Sequence, residues 1–287
     1  MQVRDIVMHP YLKRKEELLG VIYKLRMVAA DQLATVMGVS SKYVQMLKSS
    51  LNKEGDMVVS HYSRRRGARR LPFPPEYKSG PRMYALGPSG KAVVEAILDQ
   101  PVYLKKHTGR QAVHYFGVND LLVRTLTGLI EQESQGQEDH PMARVRAWER
   151  LQWLNSREAV EILEMAWAPI LEDQKKKDQK EFRTDWIHPD GRIIIDGKAY
   201  WLEYDNMTEQ IRNPEGTGRA TTIEDKMARY LFSMSPIQNT DPVIWITPSP
   251  LRRDNMKKVY EEIKEENSEM PEMIFCSPGE EQSILLS

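Results

Sequence analysis

Two runs rich in β-branched and aromatic residues, ending at Ile195 and starting at Lys198, are separated by Asp196-Gly197 alone, and no other local feature constrains the fold as tightly. An Asp-Gly pair between such runs predicts a β-hairpin with a type I′ turn, whose two central residues both take positive φ. The turn sets the register: Ile195 faces Lys198, so opposed residue numbers sum to 393, Asp190 lies opposite Glu203, and His188 opposite Asp205. Because alternate residues share a face, Asp190, Glu203 and Asp205 point one way with Trp201, while Ile193, Ile195, Tyr200, Leu202 and Tyr204 line the other. Carboxylates set across a strand pair repel one another. A divalent cation, Mg²⁺ or Mn²⁺, would relieve that repulsion, since Mg²⁺ is commonly held by one or two carboxylates plus water and phosphate oxygens. The alternative is an exposed hairpin whose charges face water.

The flanking segments place this hairpin in an α/β frame. Residues from about Gln111 to Glu133 read as a helix with Val118, Leu121, Leu122, Leu126, Leu129 and Ile130 buried and Asn119 and Asp120 at the stripe's edge. Arg144 to Glu149 alternates as a strand would, and a long charged helix is expected over about Ser156 to Lys180, its run Lys175 to Lys177 facing solvent. After the hairpin, Thr221 and Glu224 match a capping box opening a helix to about Met234, with Ile223, Met227, Tyr230 and Leu231 buried. Val243 to Thr247 is then a buried strand, which makes a right-handed strand–helix–strand crossover. Lys226 on that helix either reaches the carboxylates or stays solvated. A charged helix from about Arg253 to Glu266 and a strand at Met273 to Cys276 complete the sheet, and the six tryptophans are core by default, with Trp201 placed to stack on a base.

The chain is neutral overall, with 41 Lys+Arg and 41 Asp+Glu, but its halves are not. Residues 1–100 hold 17 basic and 9 acidic side chains, so the remainder holds 24 basic and 32 acidic. Such asymmetry points to nucleic acid on the basic side. There, Leu18, Ile22 and Leu25 mark a first helix within Tyr11 to Met27. Asp31 can cap a second over Gln32 to Met37 that stops at Gly38, and Ser40 caps a third running to about Glu54 with Val44, Leu47 and Leu51 inward. Two short helices joined at a glycine turn form a helix-turn-helix, whose second helix enters the DNA major groove. Lys42, Tyr43, Gln45, Met46 and Ser49 are then left to read bases, and Lys48 to meet a phosphate. Strands at Met57 to Tyr62 and Met83 to Leu86 flank a loop with Arg64, Arg65, Arg66, Gly67, Arg69 and Arg70, suited to lie along phosphates or enter the minor groove. The other reading is a solvated loop on a protein-interaction domain.

No apolar run approaches the ~20 residues of a membrane-spanning helix, no signal-peptide pattern is expected, and the cytoplasm is the expected location. One cysteine, Cys276, excludes an internal disulfide, and the six histidines show no ligand-like spacing. Any metal would therefore be held by oxygens.

The N-terminal part, with its exit Tyr84-Ala-Leu-Gly-Pro-Ser-Gly-Lys91, resembles winged-helix DNA-binding domains. Pro189-Asp190 and Glu203-x-Asp205, in a helix, strand, hairpin, helix, strand order, look like the core of the PD-(D/E)xK nuclease superfamily, except that the motif's lysine is here Asp205, with Lys226 as the candidate substitute. With His114, Val118-Asn119-Asp120, Pro189-Asp190-Gly191, Trp201 to Asp205, Thr208-Glu209 and Lys226 to Tyr230, the chain resembles the replication-relaxation family of plasmids and other mobile elements. The resemblance implies a winged-helix domain over 1–98, a linker at 99–110 and a restriction-endonuclease-like α/β domain with a mixed sheet over 111–287. It implies Asp120, Asp190, Glu203 and Asp205 as metal ligands and Lys226 as the cationic helper; Glu149 is a weaker acidic candidate. It also implies double-stranded DNA as partner, with a second copy of the chain and replication or mobilisation proteins as candidates. The expected activity is metal-dependent strand nicking by a water or a tyrosine such as Tyr204 or Tyr230. The alternative is a non-catalytic transcriptional or replication regulator whose nuclease-like domain serves DNA contact or dimerisation.

Overall fold

The computed structural model describes residues 1–62, 81–104, 111–134, 142–172, 186–213 and 221–287. The chain is mixed α/β and divides into two compact units, Met1–Trp153 with Leu285–Ser287, and Leu154–Ile284.

The first unit begins with α1 (Val3–Val7), α2 (Arg14–Leu25), β1 (Val28–Ala29), α3 (Ala30–Met37) and α4 (Ser41–Leu51). Leu18, Ile22, Leu33, Val44, Leu47 and Leu51 are buried, each contributing roughly 1.5–3 kcal/mol by leaving water. Helix α3 starts one residue before the expected cap. Gln32 Oε1 accepts the Ala29 N–H at 3.1 Å, so Asp31 is left inside the first turn. The helix ends at Gly38 with φ +67°, where a Cβ would also lie 2.7 Å from Arg144 Nε. Ser40 caps α4 as expected, its Oγ accepting from Tyr43 N at 3.2 Å.

Strands β2 (Val58–Tyr62) and β3 (Arg82–Leu86) pair antiparallel, and the sheet order is β1-β3-β2. Asn52, just past α4, donates to Val58 O at 3.0 Å and accepts from Val58 N at 3.1 Å, which ties the helix end to the strand start. A single 3-10 turn, Pro88–Gly90, leads into α5 (Lys91–Leu98). Arg64, Arg65, Arg66, Gly67, Arg69 and Arg70 lie outside the described residues, as do residues 105–110 of the expected linker and Lys175 to Lys177.

Helix α6 (Gln111–Ser134), expected to open the second domain, packs in the first unit. Gln32 Nε2 donates to Phe116 O at 2.9 Å, and Asn119 Nδ2 donates to Met27 O at 2.9 Å and Leu25 O at 3.3 Å. Asn119 is therefore buried rather than at an edge, because its amide satisfies carbonyls that α2 leaves open at its end. The expected strand over Arg144 to Glu149 is instead α7 (Ala143–Arg150): Ala143, Ala147 and Trp148 bury at helical spacing. Arg144 Nη1 donates to Thr35 O at 2.6 Å, serving a carbonyl at the C-terminal end of α3.

The second unit runs from β4 (Leu151–Asn155) through α8 (Ser156–Leu171), β5 (Gly191–Ile195), β6 (Lys198–Tyr204), α9 (Ile223–Met234), β7 (Val243–Ile246) and α10 (Pro250–Glu266) to β8 (Met273–Cys276). The sheet order is β4-β5-β6-β7-β8, with β5 antiparallel to β6 and β6, β7 and β8 mutually parallel. The β5–β6 register is the expected one, Ile195 opposite Lys198 and Arg192 opposite Trp201. The turn takes φ 49° at Asp196 and 82° at Gly197, both positive as a type I′ turn requires. Helix α9 is capped by Thr222, not Thr221. Thr222 Oγ1 accepts from Asp225 N at 3.1 Å and Asp225 Oδ2 from Thr222 N at 2.8 Å, a register that drops Ile223 into the core. Trp201, Met227, Tyr230, Trp245 and Met256 share that core.

Candidate carboxylate–lysine centre

Strand β6 delivers Glu203 and Asp205 to the side of the sheet covered by α9, and both side chains are buried, Glu203 to 2 % exposure and Asp205 to 5 %. The expectation of an exposed, solvated hairpin therefore fails for this face. Each acid has its own cation. Lys226 of α9 brings Nζ to 3.8 Å from Glu203 Oε2. Arg252, in the first turn of α10, grips Asp205 with a fork: Nε meets Oδ2, and Nη2 meets Oδ1 at 3.0 Å. Asp205 also accepts from Thr247 Oγ1 at 2.9 Å and from Met207 N at 3.0 Å.

Asp190 sits just before β5. Its N–H donates to Leu202 O at 2.9 Å and its Oδ2 accepts from Tyr204 N at 2.8 Å, so backbone bonds hold it across from Glu203 as the register requires. Its charge reaches the same lysine. Burial disfavours the Lys226 ammonium, but Glu203, Asp190 and Glu209 together outweigh that and raise its pKa above the ordinary value. Glu209 Oε2 is 2.9 Å from Lys226 Nζ. Tyr230, fully buried on α9, donates its phenolic proton to Glu203 Oε1 at 2.9 Å; burial first and the neighbouring Glu203 second push its pKa well up, so the proton is firmly held.

Asp190, Glu203 and Lys226 thus come together, whereas Asp205 is turned over to Arg252. Asp120 lies on α6 of the first unit, in an ion pair with Arg124 one turn on. Glu149 is exposed on α7 rather than ending a strand. Trp201 is fully buried, with its Nε1 donating to Asn239 Oδ1 at 3.2 Å and Arg192 stacked 4.7 Å above its ring, which removes it as a base-stacking surface. His114 packs edge-on against Tyr115. On α4, Lys42, Gln45, Met46 and Ser49 are exposed, and Tyr43 and Lys48 half-buried.

Arg252 and the contact of Glu209 with Lys226 escape a reading of the sequence. Ser249-Pro250 is a helix-start signal that would have placed Arg252 in a first turn directly after β7. Two buried acids one strand-face apart also demand compensating cations from elsewhere in the fold.

Among the described residues no group of three or more His, Cys, Asp or Glu side chains is placed to hold a metal ion. Asp190 and Glu203 still supply the hard oxygen donors that suit Mg²⁺ or Mn²⁺ keeping most of its waters, and Asp205 does not, since Arg252 covers both its oxygens. No helix among the described residues is long and apolar enough to cross a membrane.

The fold and this centre define a two-unit mixed α/β protein with buried acids held by cations from crossing helices. A profile of the replication-relaxation family matches residues 19–241, most of both units, and the chain belongs to that family. Membership points to a role in replication or relaxation of mobile-element DNA. No curated protein and no solved structure matches the chain.

Proposed function

We propose that the protein acts on plasmid or other mobile-element DNA in replication, relaxation or mobilisation, binding double-stranded DNA through its first unit and nicking one strand at Asp190, Glu203 and Lys226. The observation that carries the nicking step is the meeting of Lys226, from α9, with Glu203 of the hairpin and the charge of Asp190. For binding, α4 presents Lys42, Gln45 and Ser49 outward without an acidic residue anywhere along the helix. Lys48 and the arginines after β2 would supply phosphate contacts.

Mg²⁺ or Mn²⁺ held by Asp190 and Glu203 would supply an activated water and offset charge on the scissile phosphate. Lys226 would offer its ammonium to the non-bridging oxygens as negative charge develops there. Tyr230 keeps Glu203 oriented through its hydrogen bond, and because its proton is held it is no nucleophile. Water is the better candidate. Asp205 and Arg252 fix the end of β6, and with it the position of Glu203 two residues earlier.

A second reading rests on one observation, the 2 % exposure of Glu203, which also suits a buried structural ion network in a non-catalytic regulator. The deciding experiment is nicking of a supercoiled plasmid carrying the protein's own gene neighbourhood, with Mn²⁺, Mg²⁺ or chelator, comparing the parent with Glu203→Ala. The nicking reading expects open circles from the parent alone and only with metal. A parent that shifts this DNA yet leaves it closed under every metal assigns the protein to regulation.

A further inference from the structure

Residues 206–213, which follow β6, are pinned at successive points. Arg252 Nη2 donates to Glu209 O at 2.6 Å, Ile223 N to Gln210 O at 3.0 Å and Glu224 N to Ile211 O at 3.1 Å. Arg212 pairs with Glu224 at 3.0 Å and with Glu262. These tethers use backbone atoms or the Arg212 side chain, so the Glu209 carboxylate is not needed to hold the segment. It is nevertheless the acid nearest Lys226, at 2.9 Å against 3.8 Å for Glu203. The two acids approach from different environments: the Glu203 side chain is 2 % exposed and that of Glu209 36 %. One flank of the ammonium thus faces the buried acids, and its other flank faces solvent through Glu209.

A carboxylate oxygen and a phosphodiester oxygen make the same charge-assisted bond to an ammonium group. We infer that the outer flank of Lys226 is a subsite for a phosphodiester oxygen, closed in the free protein by the Glu209 carboxylate, which the DNA backbone displaces on binding. This deepens the proposed function and rests on it. Glu209 is then a gate rather than a catalytic residue. It keeps the lysine occupied until a phosphate arrives, and it opposes any anion too weak to compete.

The test is DNA affinity of the full chain in chelator, measured by fluorescence anisotropy on a duplex from its own gene neighbourhood across a salt series. Parent, Glu209→Gln, Lys226→Ala and the double variant are compared. Glu209→Gln is expected to bind about two- to five-fold tighter, the worth of an exposed ion pair released. Its log–log salt slope should steepen by about 0.9, one further phosphate neutralised. Both changes should vanish when Lys226 is already alanine. Unchanged or weaker binding by Glu209→Gln overturns the inference, as does a gain that persists without Lys226. Metal-dependent nicking with no change in affinity sinks the gate and leaves the proposed function standing; a Lys226-dependent gain without nicking under any metal does the reverse.

Discussion

Glu203 and Asp205 stand two residues apart on one strand and one face, both buried, yet their surroundings differ in kind. Asp205 meets a planar guanidinium that bonds both its oxygens, with Thr247 and a backbone N–H completing the shell. Glu203 meets a phenol on one oxygen and, on the other, a lysine 3.8 Å away that leans toward Glu209. A fork fixes geometry, whereas a point charge on a flexible stem can be shared and redirected. The comparison teaches that burial alone does not mark a working carboxylate. What marks Glu203 is a cation with a second allegiance.

The sharpest way to break this contrast is Arg252→Ala, which leaves the Asp205 charge buried without its partner. A loss of about 3–5 kcal/mol is expected, read as a fall of roughly 10 °C in the thermal midpoint. Arg252→Lys should recover only part of it, since an ammonium cannot reproduce the two-point grip. A midpoint unmoved by Arg252→Ala would show that the fork is ornamental.

Tyr230→Phe is expected to cost less, about 1–3 kcal/mol in urea unfolding, because one buried oxygen of Glu203 loses its donor while the ring still fills the core. The smallest effect is a matter of pH. The Lys226 pKa is raised in the folded state above its ordinary 10.5, so its contribution is fully present below 10.5 and is lost as pH climbs past that value. Tyr230, also raised, acts in the same direction above 10.0. Alkaline titration of stability should therefore be shallower in Lys226→Met than in the parent, and a parallel pair of curves would remove Lys226 from the coupling.

How much of this was legible follows from the range of each interaction. The Asp-Gly turn is local, and it correctly set Asp190 against Glu203 before any coordinates were known. The capped helix α4 and strand β8 were legible for the same reason, their signals lying within a few residues. Arg144 to Glu149 was not, because a short polar stretch alternates almost as well as it spirals, and only the burial of Ala143 and Ala147 decides. Arg252 was beyond reach altogether: its partner lies 47 residues away, joined by a parallel pairing of β6 with β7 that no local pattern announces. Asn119 likewise read as an edge residue because the carbonyls it serves belong to a helix over 90 residues earlier.

The double bond between Asn52 and Val58 has a mechanical meaning. Helix α4 and the first residue of β2 share one amide, so they move as a single lever with Asn52 at the hinge pin. Any substitution that re-aims the outward face of α4 must swing the β2–β3 hairpin with it, and the aim of the helix and the reach of the hairpin cannot be tuned one at a time.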